Sequence, residues 1–165
     1  MIPKLSIVYS IAGLLLVSCS QTATGVYKTY SFYKINTPGT IPVDENGRPI
    51  GKIHDTVRVV YFETTKGVKP QLTGFIVNAN YYKPVLTRID NNSEEAGTLL
   101  QTNKPIIVKG KVYRQLWKVE AGDRIEGQSN SKIKKDLIYL VVEYEGRNAM
   151  RIIKKHKELV PELHY

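Results

Sequence analysis

The chain has 165 residues and carries 24 Lys and Arg against 15 Asp and Glu, which gives it a formal net charge of +9 at pH 7. This length accommodates one domain with a substantial hydrophobic core and leaves little room for a second. The sequence contains a single cysteine, which excludes a disulfide within the chain.

The N-terminal segment combines one positive charge, at Lys4, with a mostly apolar run of twelve residues at 5–16. As a helix, this run would span about 18 Å, well short of the ~30 Å hydrocarbon core of a bilayer. A basic start, a short apolar run and small residues after it are typical of a secretory signal peptide and not of a membrane-spanning helix.

Residues 16–19 read LVSC, and this stretch resembles the lipobox of bacterial lipoproteins. The resemblance implies that residues 1–18 are removed and that Cys19 becomes the first residue of the mature protein. Its thiol would carry diacylglycerol and its amine an acyl chain such as palmitate. Two or more acyl chains anchor a protein stably in a membrane, whereas one chain does not. The alternatives are a soluble exported protein that is cleaved at another position and a cysteine that lies by chance in a short apolar helix.

The residues that follow the cysteine indicate the membrane to which the protein is sorted. Ser20 stands where inner-membrane lipoproteins of Gram-negative bacteria commonly have aspartate, so the resemblance implies an outer-membrane anchor with the domain facing the periplasm. Residues 19–25 are small and polar after the cysteine and predict a flexible tether, and residues 26–165 follow as a single domain. With Cys19 lipidated, the mature chain has no thiol for a cysteine nucleophile, a thiolate zinc site or an iron–sulfur cluster.

The first half of the domain reads as strands separated by turns. Residues 26–35 (VYKTYSFYKI) and 56–65 (TVRVVYFETT) are rich in aromatic and β-branched residues, which predicts two strands. Between them, proline, glycine and the Asn-Gly pair at 46–47 predict turns and a small hairpin. Another run at 72–82 predicts a third strand, which residues 85–89 extend beyond a proline.

The middle of the chain is more polar. Residues 90–97 (DNNSEEAG) contain no side chain that favours burial and are expected to form a solvated loop. Residues 105–122 predict one long strand or two, with a bulge or bend at Gly110. Residues 126–136 (EGQSNSKIKKD) are expected to be a mobile excursion.

The C-terminal part contains the most apolar segment of the domain, residues 137–144 (LIYLVVEY), which predicts a central strand buried on both faces. After a turn that contains glycine, residues 149–153 are expected to return as the partner strand of a hairpin. The apolar positions of residues 149–160 also fit one face of a short C-terminal helix, which is the alternative.

Seven or eight short strands with turn signals between them indicate an all-β protein. We expect an antiparallel β-sandwich, either Ig-like or transthyretin-like, or a small barrel. Since β pairings join residues that are distant in sequence, the order of the strands stays open.

Basic residues cluster near the C-terminus and predict a contact face for anionic lipid headgroups, an acidic polymer or an acidic partner. The alternative is solubility charge on exposed strand edges, where lysine also blocks aggregation. Nucleic acid is excluded as a partner by the envelope address. The residues of this face are Arg151, Lys154, Lys155 and Lys157.

The sequence contains eleven Tyr against three Phe and one Trp. Tyrosine suits half-buried strand positions, and it also occurs on surfaces that bind sugars and peptides. Tyr81, Tyr82 and Tyr113 are the candidate ligand-binding aromatics. In addition, residues 55–57 (DTV) resemble the acceptor for O-linked glycans on exported proteins of some Gram-negative bacteria, which implies a glycan on Thr56.

Signatures of catalysis and of metal binding are missing from the sequence. Neither G-x-S-x-G nor a phosphate-binding loop occurs, and the three histidines, His54, His156 and His164, have no metal-ligand spacing. Three glutamates lie near the ends of apolar strands, where paired carboxylates can hydrolyse glycosides, but glutamate at a strand end normally points into water. They are Glu63, Glu120 and Glu143. No cofactor, metal or catalytic residue is predicted.

These observations predict a lipid-anchored protein of the cell envelope that acts as a non-enzymatic binding or assembly module, with a protein or glycan of the envelope as its partner. The alternative is an accessory that binds or processes glycans at the outer membrane.

Overall fold

The computed structural model describes residues 25–36, 42–50, 55–129, 133–134, 136–144 and 146–161. The predicted signal peptide, Cys19 and most of the predicted tether lie outside the described residues. So do His54, His164 and the middle of the segment expected to be mobile. Within the described part of the chain, no helix is long and apolar enough to cross a membrane.

The described residues form ten strands and no helix. The strands are β1 (Thr29–Asn36), β2 (Asp55–Thr65), β3 (Gln71–Val77), β4 (Asn80–Arg88), β5 (Ser93–Thr98), β6 (Pro105–Lys109), β7 (Arg114–Ser129), β8 (Ile138–Tyr144), β9 (Arg147–Ile153) and β10 (Lys157–Glu158). The predicted all-β class is confirmed.

Eight of the strands form one sheet in the order β10-β1-β2-β7-β4-β3-β8-β9, and β5 pairs with β6 in a separate hairpin. All neighbours in the large sheet are antiparallel except β1 and β10, which are parallel, so the sheet is mixed. The parallel pair arises because the chain leaves β9 at one edge of the sheet and joins the opposite edge.

The connection from β9 to β10 makes the sheet curl. β9 ends at Ile153 on one edge, and β10 begins at Lys157 on the other. Four residue steps of extended chain reach at most about 14 Å. The two edges of an eight-stranded sheet can approach this closely only if the sheet bends round on itself. The result is an open barrel, and we call the gap between β9 and the β10–β1 edge the seam.

The strand directions give the curled sheet two distinct ends. One end, the Gly25 end, contains Gly25, the β2–β3 turn at 66–70 and the β6–β7 connection at 110–113. The other, the cleft end, contains the β3–β4 turn at 78–79 and the β9–β10 connection at 154–156. The eleven residues of β2 run between the two ends, a distance of about 33 Å for an extended strand.

Two hydrophobic cores lie on the two faces of the sheet. The inner core fills the concave side, and the outer core lies where the β5–β6 hairpin covers the convex side of β1, β2 and β7. The buried residues of the inner core are Val26, Val60, Phe62, Phe75, Val77, Trp117, Val119, Ile138, Leu140, Val142 and Ile153. Those of the outer core are Phe32, Tyr61, Ile89, Val108, Leu116 and Leu159.

The central part of β2 is continuously apolar because both faces of the strand are buried. Val60 and Phe62 point into the inner core, and Tyr61 between them points into the outer core. There its ring meets that of Phe32 edge to face, at 5.9 Å between centroids. A strand covered on both faces needs apolar residues at consecutive positions, and β2 is such a strand.

The run at 72–89 is a hairpin and not the single extended strand that the sequence predicted. β3 ends at Val77, which pairs with Asn80, and the turn residues Asn78 and Ala79 have φ angles of 49° and 64°. Positive φ at both central residues is typical of a type I′ hairpin turn. Pro84 is tolerated in β4 because the described pairing between β3 and β4 stops at Tyr82, so the proline needs no donor on that side.

The expected solvated loop at 90–97 is also wrong. Ser93–Thr98 is strand β5, which pairs with β6 and shields the outer core. The prediction took its glutamates as a sign of full exposure, but one of them is half-buried. Glu94 accepts a hydrogen bond from the hydroxyl of Tyr61 at 3.2 Å and forms an ion pair with Lys118 at 3.3 Å. Polar residues thus form a strand where a cation and a hydroxyl on the sheet satisfy them.

Most of the other predictions for the second half are confirmed, but residues 126–129 of the expected mobile excursion belong to β7. Residues 105–122 form two strands that separate at Gly110, and the small hairpin around Asn46-Gly47 is present. The C-terminal hairpin is formed by β8 and β9, and the helix alternative for 149–160 is wrong. β8 is buried on both faces at Ile138, Tyr139 and Leu140, but it is next to the edge of the sheet and not central.

The β3–β4 turn provides a test of this topology. Ala79→Gly is expected to raise the free energy of unfolding by about 0.5–1 kcal/mol, because glycine adopts positive φ without the steric cost that alanine incurs. Urea denaturation measures the change. Ala121→Gly in β7 is the matched control and is expected to lower the free energy of unfolding by a similar amount. An Ala79→Gly protein that is less stable than wild type would contradict the turn.

Candidate functional site

Side chains, and not a backbone ladder, connect the two sides of the seam at the cleft end. The ring of His156 lies between them, with Nδ1 2.8 Å from the hydroxyl of Ser31 on β1 and Nε2 3.2 Å from the carbonyl oxygen of Asp136 ahead of β8. Ser31 is buried and His156 is half-buried. The imidazole therefore links both walls of the open barrel.

A second side chain crosses the seam closer to the Gly25 end. Arg151 on β9 donates a hydrogen bond from Nη2 to the carbonyl oxygen of Tyr27 at 3.3 Å. It is half-buried, and its Nε is buried with no hydrogen-bond partner among the described residues. In β9 it pairs with Leu140 of the inner core and so faces the interior. Arg151 thus belongs to the closure of the barrel.

A cleft of about 760 Å³ opens at the seam beside His156, and we call it the seam cleft. Its walls come from the ends of β1 and β2 on one side and from the β3–β4 turn and the start of β8 on the other. The β9–β10 connection runs along it. The lining residues are Tyr33, Ile35, Thr56, Arg58, Asn78, Asp136, Leu137, Ile138, Lys154, Lys155, His156 and Lys157.

The seam cleft is strongly cationic. Arg58, Lys154, Lys155 and Lys157 line it, and Asp136 is the single carboxylate among the described residues of the lining. Several like charges around a concave surface with low-dielectric walls focus the field and attract anions. The cleft therefore favours a ligand with acidic groups.

Apolar side chains also line the seam cleft. Ile35, Leu137 and Ile138 contribute to its lining, together with the ring of Tyr33. The hydroxyl of Tyr33 donates a hydrogen bond to Glu158 at 3.1 Å, and burial together with this bond raises the pKa of Tyr33. An acidic ligand with an apolar or ring-shaped portion fits such a lining.

The structure brings together most of the predicted basic face. Lys154, Lys155 and Lys157 are exposed and line the seam cleft, whereas Arg151 points into the barrel. Thr56, the predicted glycan acceptor, is exposed in β2 and also lines the cleft.

The three candidate aromatics do not form one site. Tyr81 and Tyr82 are half-buried near the start of β4, and Tyr82 packs against the inner core. Tyr113 is exposed in the β6–β7 connection, at the opposite end of the sheet. A single ligand in the seam cleft therefore meets Tyr33, which the sequence did not single out.

Arg58, like Tyr33, lines the seam cleft and was not singled out by the sequence analysis. It lies in an otherwise apolar stretch of β2 and shares the inward side of the strand with Val60 and Phe62, because side chains alternate along a strand. An arginine on the inward face of a strand near the open end of a barrel indicates a polar cavity. The sequence alone does not give this indication, because it does not show which face of β2 is inward.

A buried ion pair lies at the Gly25 end. The side chain of Glu63 is 1% exposed, and neither carboxylate oxygen has a hydrogen-bond partner among the described residues. Its counter-charge is Arg114, whose Nη1 is 3.7 Å away and whose guanidinium lies 3.5 Å from the ring centre of Tyr27. The expectation that glutamate at this strand end points into water is wrong, since Tyr27 and Arg114 cover it.

Tyr61 and Glu94 form a third polar group, beneath the β5–β6 hairpin. Burial raises the pKa of the Tyr61 hydroxyl, and the charge of Glu94 raises it further. Lys118 balances Glu94 and also lies 3.6 Å from Glu120. This network joins the hairpin to the sheet and does not line the seam cleft. Within the described ranges, no three His, Cys, Asp or Glu side chains converge on a metal-sized site.

Comparison of the chain with protein-family models, with curated proteins and with solved structures finds no match in any of the three. No residue role or activity can therefore be transferred from a relative. The side chains of the seam cleft themselves indicate its chemistry, since they offer cations, an imidazole and a tyrosine to an acidic ligand.

His156 gives the fold a pH dependence. Burial lowers the pKa of His156 below its ordinary value of 6.5, the charge of Arg58 lowers it further, and Asp136 opposes both. Well above pH 6.5 the histidine is neutral in folded and unfolded chains alike. Below it, the unfolded chain binds the proton first, so the free energy of unfolding is expected to fall as the pH drops.

Urea denaturation between about pH 5 and about pH 8 measures this effect. His156→Gln, which cannot titrate, is expected to remove the part of the slope below pH 6.5, and His164→Gln serves as the control. Equal slopes in wild type and His156→Gln would show that the seam histidine does not resist protonation.

The buried ion pair predicts a large loss of stability when one partner is removed. Arg114→Met is expected to lower the free energy of unfolding by about 3 kcal/mol, because Glu63 is then buried without a counter-charge. The double variant Glu63→Met with Arg114→Met is expected to recover most of that loss. Arg88→Met is the control, since Arg88 and its partner Asp90 are exposed, and it should change stability by less than about 0.5 kcal/mol. Equal losses at Arg88 and Arg114 would contradict the role of the pair.

Proposed function

We propose that this protein is a lipid-anchored binding module of the bacterial cell envelope that holds an acidic partner in the seam cleft. The observation that carries the proposal is the convergence of Arg58 with Lys154, Lys155 and Lys157 around one cleft of about 760 Å³. These cations come from β2 on one side and from the β9–β10 connection and the first residue of β10 on the other, almost 100 residues apart in the sequence.

The arrangement of charge supports a bound anion. Cations gathered around a cleft repel one another and lower the stability of the free protein. An acidic ligand that binds only the folded state removes this repulsion and raises the apparent stability. The seam cleft is thus better suited to a complex than to the isolated chain.

The position of the N-terminus supports anchoring at the other end. The resemblance of residues 16–19 to a lipobox places the lipid on Cys19, six residues before Gly25. Gly25 and the seam cleft lie at opposite ends of the sheet. An anchor at Cys19 therefore attaches the domain at the end opposite the cleft, which leaves the cleft accessible to a partner in the periplasm.

An acidic envelope protein is the partner class that we favour, because a short tether and an outward-facing cleft suit an assembly module. An acidic glycan is the second candidate. It is favoured by Tyr33, whose ring lines the cleft beside the lysines, since sugar rings pack on aromatic faces.

Crosslinking of the lipidated protein in its own host, followed by mass spectrometry, tests the proposal. We expect one dominant acidic protein, and we expect its yield to fall at least about tenfold when the cleft lysines are reversed, because three ionic contacts become repulsive. The cleft variant is Lys154→Glu with Lys155→Glu and Lys157→Glu. The control variant has the same net charge and carries Lys83→Glu, Lys104→Glu and Lys109→Glu, three exposed lysines elsewhere.

Equal losses in the two variants would mean that net charge, and not the cleft, attracts the partner, and would overturn the proposal. Binding of purified protein to polygalacturonate but not to dextran, lost in the cleft variant alone, would favour the glycan candidate. Cys19→Ala is expected to leave an unprocessed precursor that takes up no labelled fatty acid. Normal maturation of that variant would refute the lipid anchor.

A further inference from the structure

The Gly25 end carries an exposed surface that the seam cleft does not explain. It consists of the β2–β3 turn and the β6–β7 connection, and its residues are Lys66, Val68, Lys69, Lys111, Val112 and Tyr113. We call it the turn surface. Thr65 pairs with Arg114 in the sheet, so the β2–β3 turn begins beside the position where the β6–β7 connection ends.

The turn surface presents apolar side chains to solvent. Val112 is 91% exposed, Tyr113 is 62% exposed and Val68 is 53% exposed. Val68 has lysine at positions 66 and 69, and Val112 follows Lys111. Apolar and aromatic tips with lysines beside them are typical of surfaces that lie at a membrane interface.

The charges at this end are mostly positive. Besides the lysines of the turn surface, Arg88 and Arg114 lie here, each near an acid. Among the described residues, the carboxylates at this end are Asp90, which pairs with Arg88 at 3.8 Å, the buried Glu63, which pairs with Arg114, and Glu143, which is exposed on β8. Lys66, Lys69 and Lys111 are exposed, and each one near an anionic surface contributes about 1 kcal/mol of attraction.

The chain enters the domain at the same end and is held firmly there. Tyr27 donates its amide N–H to the carbonyl oxygen of Glu63 at 2.9 Å, and Glu63 donates its own to the carbonyl oxygen of Lys28 at 3.0 Å. The hydroxyl of Tyr27 lies 3.3 Å from that of Thr65, the last residue of β2 before the turn surface. These bonds fix the start of the domain beside the turn surface.

The distance to the expected lipid is short. Six residue steps separate Gly25 from Cys19, and an extended chain covers at most about 22 Å in six steps. A lipid on Cys19 therefore keeps the Gly25 end within about 22 Å of the bilayer. The turn surface, which lies beside Gly25, is the part of the domain nearest to the headgroups.

We infer that the turn surface docks on anionic lipid headgroups, with its lysines among the phosphates and with Val68, Val112 and Tyr113 at the interface. This inference rests on the lipid anchor of the proposed function. Docking fixes the orientation of the domain, so that the seam cleft is held about 30 Å from the membrane, roughly the length of β2. The tether alone would leave the domain free to tumble.

A polarity-sensitive dye tests the docking. With the thiol of Cys19 lipidated, Val112→Cys provides the single free thiol of the mature protein, and the lipidated variant is labelled there and placed in vesicles of phosphatidylglycerol and phosphatidylethanolamine. We expect a blue shift of the emission relative to the protein in vesicles of phosphatidylcholine alone. Asp123→Cys, at an exposed position in the distal half of β7, is the control and is expected to show no shift.

A charge variant identifies the cause. Adding Lys66→Glu, Lys69→Glu and Lys111→Glu to the Val112→Cys protein is expected to abolish the blue shift while the protein still floats with the vesicles. A blue shift that survives this change would overturn recognition of anionic headgroups. Emission typical of water at position 112, in a protein that floats with the vesicles, would overturn docking itself.

Failure of the anchor gives a different result. If Cys19 carries no lipid, the protein labels at two thiols and does not float with the phosphatidylcholine vesicles, which counts against the proposed function. A floating protein without a blue shift leaves the anchor intact and counts against the turn surface alone.

Discussion

The three-residue connection between β9 and β10 is the constraint on which the rest of the structure depends. Because β9 and β10 form opposite edges of the same sheet, a connection this short forces the edges together and the sheet to curl. Curling creates the concave side that the inner core fills. It also leaves a seam that is closed by the side chains of His156 and Arg151. The connection that closes the barrel also carries two of the lysines that line the cleft.

Polar side chains hold this fold at the places where backbone pairing ends. His156 and Arg151 cross the seam, Glu63 and Arg114 fix the first residues of the domain, and Lys118 and Glu94 join the outer hairpin to the sheet. Buried or half-buried charges of this kind lower stability sharply when one partner is lost. The chain has no disulfide to perform the same task, so its edges depend on these pairs.

The two ends of the curled sheet carry different chemistry, and this separation gives the proposed function its geometry. The Gly25 end combines the entry of the chain with exposed lysines and apolar tips. The cleft end combines cations with the apolar lining of an open cavity. A domain that rests on a membrane with the first end presents the second to the periplasm. The excess of positive charge in the sequence thus divides between two surfaces, for which we propose different partners.

Local sequence determined the all-β class, the runs that became β1, β2 and β8, and the C-terminal hairpin, because apolar and β-branched runs with turn residues between them specify strands without reference to the rest of the chain. The grouping of Lys154, Lys155 and Lys157 was also readable, since the three residues are neighbours in the sequence. Only the tertiary structure decided that Arg58 joins them, that Glu63 is buried and that the polar segment 93–98 is a strand. Each of these depends on pairings between distant strands, and a shift of one residue in register moves every side chain of a strand to the opposite face.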